Sequence, residues 1–271
     1  MPYEGYSCLR VRRDRGVAFV TIDHPPINLF DLPLIQAMNR IGHELSDDTD
    51  VRAVVFDSAD PEFFIAHADV NLIQMLPAEA PPKPTEPSPF HLMVDRFRTM
   101  PKATIGKIEG RARGGGSEFL LSLDMRFGAI GRCILAQPEV ALGIIPGGSG
   151  TQRLPRLVGR GRALEIVLGC MDFDAVTAER YGYINRALPP EQLGPFVDEL
   201  AYRIASFPPE AIALAKASVD AAATSPFPGL IEEAHNFNLS VASPAARQRM
   251  QAFMEAGGQT RQVEMNLGKT L

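Results

Sequence analysis

The chain predicts an α/β protein, and three observations carry that prediction. β-branched apolar runs alternate with helix-length patterns through the first half, as strand–loop–helix units require. A length of 271 residues, 45% of them hydrophobic and 22% charged, is enough to bury a large core. Beyond Gly159, glycine and proline stops divide the chain into helix-length segments.

The elements follow in order. The run Val17-Ala18-Phe19-Val20-Thr21-Ile22 predicts a buried strand, ended by His24-Pro25-Pro26. Asp31 can cap a helix with Pro33 in its first turn, and Leu34, Met38, Ile41 and Leu45 recur on one face of it. Residues 52–56 form the next strand, followed by an aromatic-rich loop and a short helix opening at Asp69. The prolines at 77, 81, 82, 84, 87 and 89 exclude helix and sheet ladders, so 77–89 predicts an extended loop, either a tolerated insertion or a lid. Strands are expected at 103–108 and 125–130, separated by a helix beginning near Gly115. Helices are predicted at 161–169, 193–205, 209–223, 230–241 and 244–255. There is no internal repeat. The change near residue 190 divides a core, 1–190, from a helical C-terminal region, 191–271, which reads as a subdomain rather than an independent domain.

Composition excludes several classes. Lys plus Arg number 27 against 32 Asp plus Glu, a net charge of −5, which disfavours a surface built to neutralise nucleic-acid phosphates. Cys8, Cys133 and Cys170 are too scattered for a disulfide framework or a paired zinc signature. No apolar run approaches the ~18 residues of a membrane span, and the N-terminus lacks a signal segment. A cytoplasmic protein without membrane attachment is the expectation.

Three stretches carry chemistry. In Gly110-Arg111-Ala112-Arg113-Gly114-Gly115-Gly116-Ser117-Glu118, three glycines stand between a strand and an apolar helix. Such a run costs backbone entropy, and suits either a tight turn or a place where bare N–H groups at a helix start meet an anion. It is neither a P-loop nor a dinucleotide fingerprint. In Phe63-Phe64-Ile65-Ala66-His67-Ala68-Asp69-Val70-Asn71, small residues again precede a helix cap. Two such turns converging on one oxygen would make an oxyanion hole. His67 reads either as a hydrogen-bonded loop side chain or as an acid–base group. In the third, residues 136–154, Pro138-Glu139 leads into a glycine-rich run that could also simply form a loop. Glu139 gains meaning only if the fold brings it opposite Glu118, where two carboxylates around one water can act as base and acid.

Taken together, in this order and spacing, the three stretches resemble the crotonase (enoyl-CoA hydratase/isomerase) superfamily. The matching positions are the 66–69 loop, the 114–118 turn with Asp124 beyond it, Pro138-Glu139, Leu142-Gly143-Ile144-Ile145-Pro146-Gly147, and Gly150-Thr151-Gln152-Arg153-Leu154. The 16–26 strand and the 175–188 segment agree as well. The resemblance spans residues 10 to 225 and implies a spiral of ββα units with a helical C-terminal trimerisation region, assembled as a trimer or dimer of trimers. It implies an acyl-CoA thioester substrate, no metal and no separate cofactor. By position, Ala68 and Gly115 become the oxyanion donors, and Glu118 and Glu139 the catalytic pair. Ala66, His67, Asp69, Val70 and Gly114 become substrate-binding residues along the CoA.

Enoyl-CoA hydration is the leading expectation. A Δ3,Δ2-enoyl-CoA isomerase using Glu139 alone is the alternative, with another crotonase-type acyl-CoA enzyme such as a hydrolase or decarboxylase behind it. A non-catalytic CoA- or RNA-binding relative is the reading from another class. Three departures from the family pattern stand out. His67 replaces a usual glycine, 75–93 differs around the acyl pocket, and 253–261 lacks the usual Glu-Lys-Arg, whose lysine contacts CoA phosphates. Arg261 is the candidate substitute for it.

Overall fold

The structure, a computed structural model, describes residues 3–77, 79–222 and 227–267. Leu9–Asp14 (β1) and Val17–Ile22 (β2) pair antiparallel, and Leu32–Asp47 (α1) follows. Its start is the predicted one: Asp31 accepts the Leu34 N–H at 3.0 Å, and Leu34, Met38, Ile41 and Leu45 are buried. A repeated unit then builds the molecule. Ala53–Ser58 (β3) passes to Phe63–Ile65 (β4), Val70–Gln74 (α2) and Pro89–Thr99 (α3). Ala103–Ile108 (β5) passes to Arg111–Arg113 (β6) and Gly115–Leu121 (α4). Met125–Ala129 (β7) passes to Ile134–Ala136 (β8), a 3₁₀ turn over Glu139–Leu142, Gly150–Val158 (α5) and Arg160–Gly169 (α6). Phe173–Asp174 (β9), Ala175–Tyr181 (α7) and Arg186–Leu188 (β10) close the series.

In each unit the first strand enters a six-stranded sheet, β1-β2-β3-β5-β7-β10, and the second a four-stranded sheet, β4-β6-β8-β9. This is the expected spiral of ββα units. The pleat sends alternate side chains to opposite faces of the larger sheet. Val17, Phe19, Ala53, Val55 and Ile105 meet Leu193, Val197, Ala201 and Ala205 of Pro190–Ala205 (α8). Ala18, Val20, Ile22, Val54 and Phe56 face the main core instead. Both faces are covered, which is why these strands read as continuous apolar runs.

The last helices differ in what they cover. Pro209–Ala221 (α9) buries none of its residues, whereas Phe227–Ala242 (α10) and Pro244–Glu255 (α11) pack over the 3₁₀ turn and α2. Arg261–Glu264 (α12) ends the described chain's helices. The predicted end of the α9 helix at Ala223 lies outside the described residues. The proline-rich stretch lacks helix and strand among its described residues, but only through Ser88. Pro89 opens α3 rather than extending the loop, because proline is tolerated where the first helical N–H has no partner. Among the described residues no helix is long and apolar enough to cross a membrane.

Candidate active site

Between α2, α3, α4 and α10 lies a cavity of about 350 Å³. Its walls are mostly apolar, with Phe30, Leu72, Ile73, Phe90, Ile144 and Phe237 among them. Four residues singled out from the sequence come together on it: Ala68, Gly115, Glu118 and Glu139. Asp69 lines it too, while Ala66, His67, Val70 and Gly114, expected along the substrate, are not among its lining residues.

The two small-residue turns meet back to back. A Cβ on Gly115 would lie 3.2 Å from the Ala68 Cβ and 3.5 Å from the Ala68 nitrogen. The flanking donors are consumed within the fold: Ala66 N–H donates to Ile27 O, Asp69 N–H to Phe30 O, and Gly114 N–H to Ala136 O. Gly114 has φ +47° and ψ −125°, a conformation that favours glycine, and a Cβ there would meet Glu139 Oε1 at 2.8 Å. Gly116 is constrained by space instead, since a Cβ would sit 2.3 Å from the Ile65 carbonyl oxygen. The glycine run therefore seats α4 against β4 and brings its free N-terminal amides beside Ala68.

Glu118 lies in the first turn of α4, buried, with Oε1 accepting N–H bonds from Gly148 and Gly150, both at 2.8 Å. Burial and the nearby Glu139 and Glu233 carboxylates hold its carboxyl well above the ordinary range, against the pull of those two N–H groups. Glu139 opens the 3₁₀ turn, also buried. Burial pushes its pKa up to about 8; Glu233 adds to the rise, while a backbone N–H and His67 oppose it. With its amide oriented to suit its neighbours, buried Gln137 donates to both Glu139 oxygens at 3.1 and 3.2 Å. Two such carboxyls on one cavity titrate as a pair, so one can hold a proton at neutral pH while the other is ionised.

His67 is buried, with Nδ1 2.8 Å from the Ala68 carbonyl oxygen and Nε2 3.1 Å from Glu264 Oε1. The Glu264 contact is a charge contact rather than an aligned hydrogen bond. Arg261, the candidate for the missing CoA-phosphate lysine, is committed elsewhere. Its guanidinium pairs with Asp60 at 2.6 Å and with Glu62, and donates to the Pro26 carbonyl at 3.0 Å. Gln137, the apolar contributors Phe90 and Phe237, and Glu233 were not anticipated as site residues. For Glu233 no local sequence signal exists, because its partners lie more than eighty residues earlier.

A spiral of ββα units with Ala68, Gly115 and two buried glutamates on one mostly apolar cavity is the arrangement that the resemblance implies. The chain belongs to the enoyl-CoA hydratase/isomerase family, whose pattern it matches over residues 12–261. It is 32% identical over 215 residues to the short-chain-enoyl-CoA hydratase of Clostridium acetobutylicum, covering 78% of this chain and 80% of that one. It is 31% identical over 256 residues to the crotonyl-CoA hydratase of Syntrophomonas wolfei, covering 92% and 96%. A crystal structure of a provisionally named enoyl-CoA hydratase from Streptomyces avermitilis superposes with a TM-score of 0.88 at 40% identity, covering 98% of this chain and 97% of that one.

Proposed function

We propose that the chain is an enoyl-CoA hydratase that adds water across the 2,3-double bond of an acyl-CoA thioester. The observation that carries the reading is the presence of Glu118 and Glu139 with the Ala68 and Gly115 amides around one cavity. The thioester carbonyl rests on the two N–H groups, which stabilise the negative charge that develops on its oxygen. Water attacks carbon 3 and gives a proton to one carboxylate as its oxygen bonds. The enolate then collapses and carbon 2 takes a proton from the other carboxyl group. The net change is addition of H and OH, and the carboxyl pair ends with as many protons as it began with. The 66–70 loop, capped by Asp69, carries the pantetheine, with coenzyme A entering as part of the substrate and no separate cofactor taking part.

Assembly as a trimer or dimer of trimers belongs to the same reading. It is supported by the exposed apolar side chains Leu168, Met171 and Val176 and by Leu214 and Val219 of α9. The activity test is a series of 2-enoyl-CoA thioesters of increasing chain length, followed by loss of the conjugated thioester absorbance. Hydration of at least one supports the reading. Conversion of 3-enoyl-CoA substrates with no hydration of any 2-enoyl-CoA overturns it in favour of an isomerase.

A further inference from the structure

Four consecutive backbone N–H groups, those of residues 148 to 151, alternate between two carboxylates. Gly148 and Gly150 donate to Glu118 Oε1, both at 2.8 Å. Ser149 donates to Glu233 Oε1 at 2.6 Å and Thr151 to Glu233 Oε2 at 2.9 Å, with the Thr151 hydroxyl on the same oxygen. Glu233 comes from α10, and is 1% exposed. We propose that Glu233 is a positioning residue, which fixes the 148–151 turn and through it the orientation of Glu118.

Three features support this assignment. Ser149 has φ +103°, a strained conformation for a residue with a side chain, and such strain persists only where surroundings hold it. Its own hydroxyl caps nothing and instead accepts Arg153 Nε at 2.9 Å, so Glu233 supplies the anionic cap of α5 from a distant helix. Second, Glu233 is itself anchored. His91, wholly buried at the start of α3, places Nε2 3.1 Å from Glu233 Oε1. The Ser88 N–H points at His91 Nδ1, 3.4 Å away, which leaves the proton on Nε2 to be donated. Third, the glycines of this turn have no room to adjust: a Cβ on Gly148 would lie 2.5 Å from Glu118 Oε2, and one on Gly147 2.5 Å from the Phe237 ring. Phe237 is one turn beyond Glu233 on α10 and lines the cavity.

The charge has a consequence of its own. Glu118 faces Glu139 from the 3₁₀ turn, Glu233 from α10, and the two amides of the turn. Glu233 faces His91 from α3, Arg153 from α5 and both other glutamates. Removing its charge takes one of two neighbouring anions away from Glu118 and eases ionisation there.

The inference rests on the reading of Glu118 as a reacting carboxylate, and the experiment separates the two. Glu233→Gln and Glu233→Asp are assayed for enoyl-CoA hydration between pH 5 and 9, with thermal melts of each. For Glu233→Gln we expect kcat to fall between about ten- and a hundredfold with KM nearly unchanged, the range that misplacing a reacting group can cost. The acid limb of its pH profile moves to lower pH. Glu233→Asp keeps the charge but withdraws it by one methylene, so kcat falls while the limb stays in place. This second variant decides the matter if Glu233→Gln does not fold. A purely structural role lowers the melting temperature of either variant but leaves kcat and the limb of the folded protein as in the wild type, and that result overturns the proposal. Wild-type protein that hydrates no enoyl-CoA overturns the reading of Glu118 instead.

Discussion

His67 shows how one buried side chain can join two distant segments of the chain. Both ring nitrogens are engaged, one by the Ala68 carbonyl and the other by Glu264 of α12, so the ring ties α12 to the 66–69 loop. Burial alone would lower its pKa, but Glu264 overrides that and raises it; burial would raise Glu264, and His67 holds it below its ordinary value. A raised histidine stabilises the fold fully below its unfolded pKa, near 6.5, and loses that contribution as pH rises through the folded value. A depressed glutamate contributes above its unfolded pKa of 4.5 and loses that as pH falls through its folded value. The pair is therefore most stabilising between those two unfolded values. We expect His67→Gln to cost about 3 kcal/mol at pH 5.5, as removing one partner of a buried pair does, and less at pH 8.5. Hydration by the folded variant should stay within about tenfold, roughly 1.4 kcal/mol of barrier. Urea melts at the two pH values check the first expectation. An equal penalty at both would contradict it.

At the scale of the element, the proposed oxyanion hole depends on the start of α4. Gly115 is the first helical residue after Gly114, the position where proline is tolerated and brings no N–H. Gly115→Pro therefore deletes one donor, and kcat should fall about 10²–10³-fold, the usual cost of losing one. Circular dichroism must show the helix content retained, and near-normal turnover in such a protein would remove Gly115 from the hole.

Much of this local architecture was legible in the sequence. The strand at 17–22, the capped α1 and the glycine run all carry strong local signals, because burial on both faces, a side-chain cap and backbone proximity each impose a composition. What was not legible depends on distant partners. Arg111–Arg113 reads as polar, yet it is strand β6, with Arg113 buried by a two-bond pairing to Asp172. Three residues are too few to show a period of two. Glu233 sits in an unremarkable helical pattern, and only the tertiary fold aims it at the 148–151 turn.

At the scale of the molecule, α10 walls one side of the site, and the carboxyl pair buried there has a cost in stability. A carboxyl whose folded pKa is raised binds its proton more tightly folded than unfolded. Stability therefore falls as pH rises from the unfolded value of 4.5 toward about 8 for Glu139. The slope for one such group is about 1.4 kcal/mol per pH unit. Glu139→Gln should accordingly melt higher than the wild type at pH 8, with the difference vanishing near pH 4.5. A variant that melts lower at pH 8 would contradict the buried, proton-retaining state of Glu139.

The proposed division of one water between two glutamates is tested most directly by measuring hydration and double-bond migration on Glu118→Gln, Glu139→Gln and the double variant. Each single change keeps the side chain's size and removes a base and a titratable proton. Hydration should fall at least ~10²-fold in each, the low end of what a positioned acid or base contributes. The double variant should lose less than the product of the two, as groups acting together do. A folded Glu118→Gln protein that hydrates enoyl-CoA at the wild-type rate, with only Glu139→Gln abolishing turnover, would contradict the two-carboxylate mechanism.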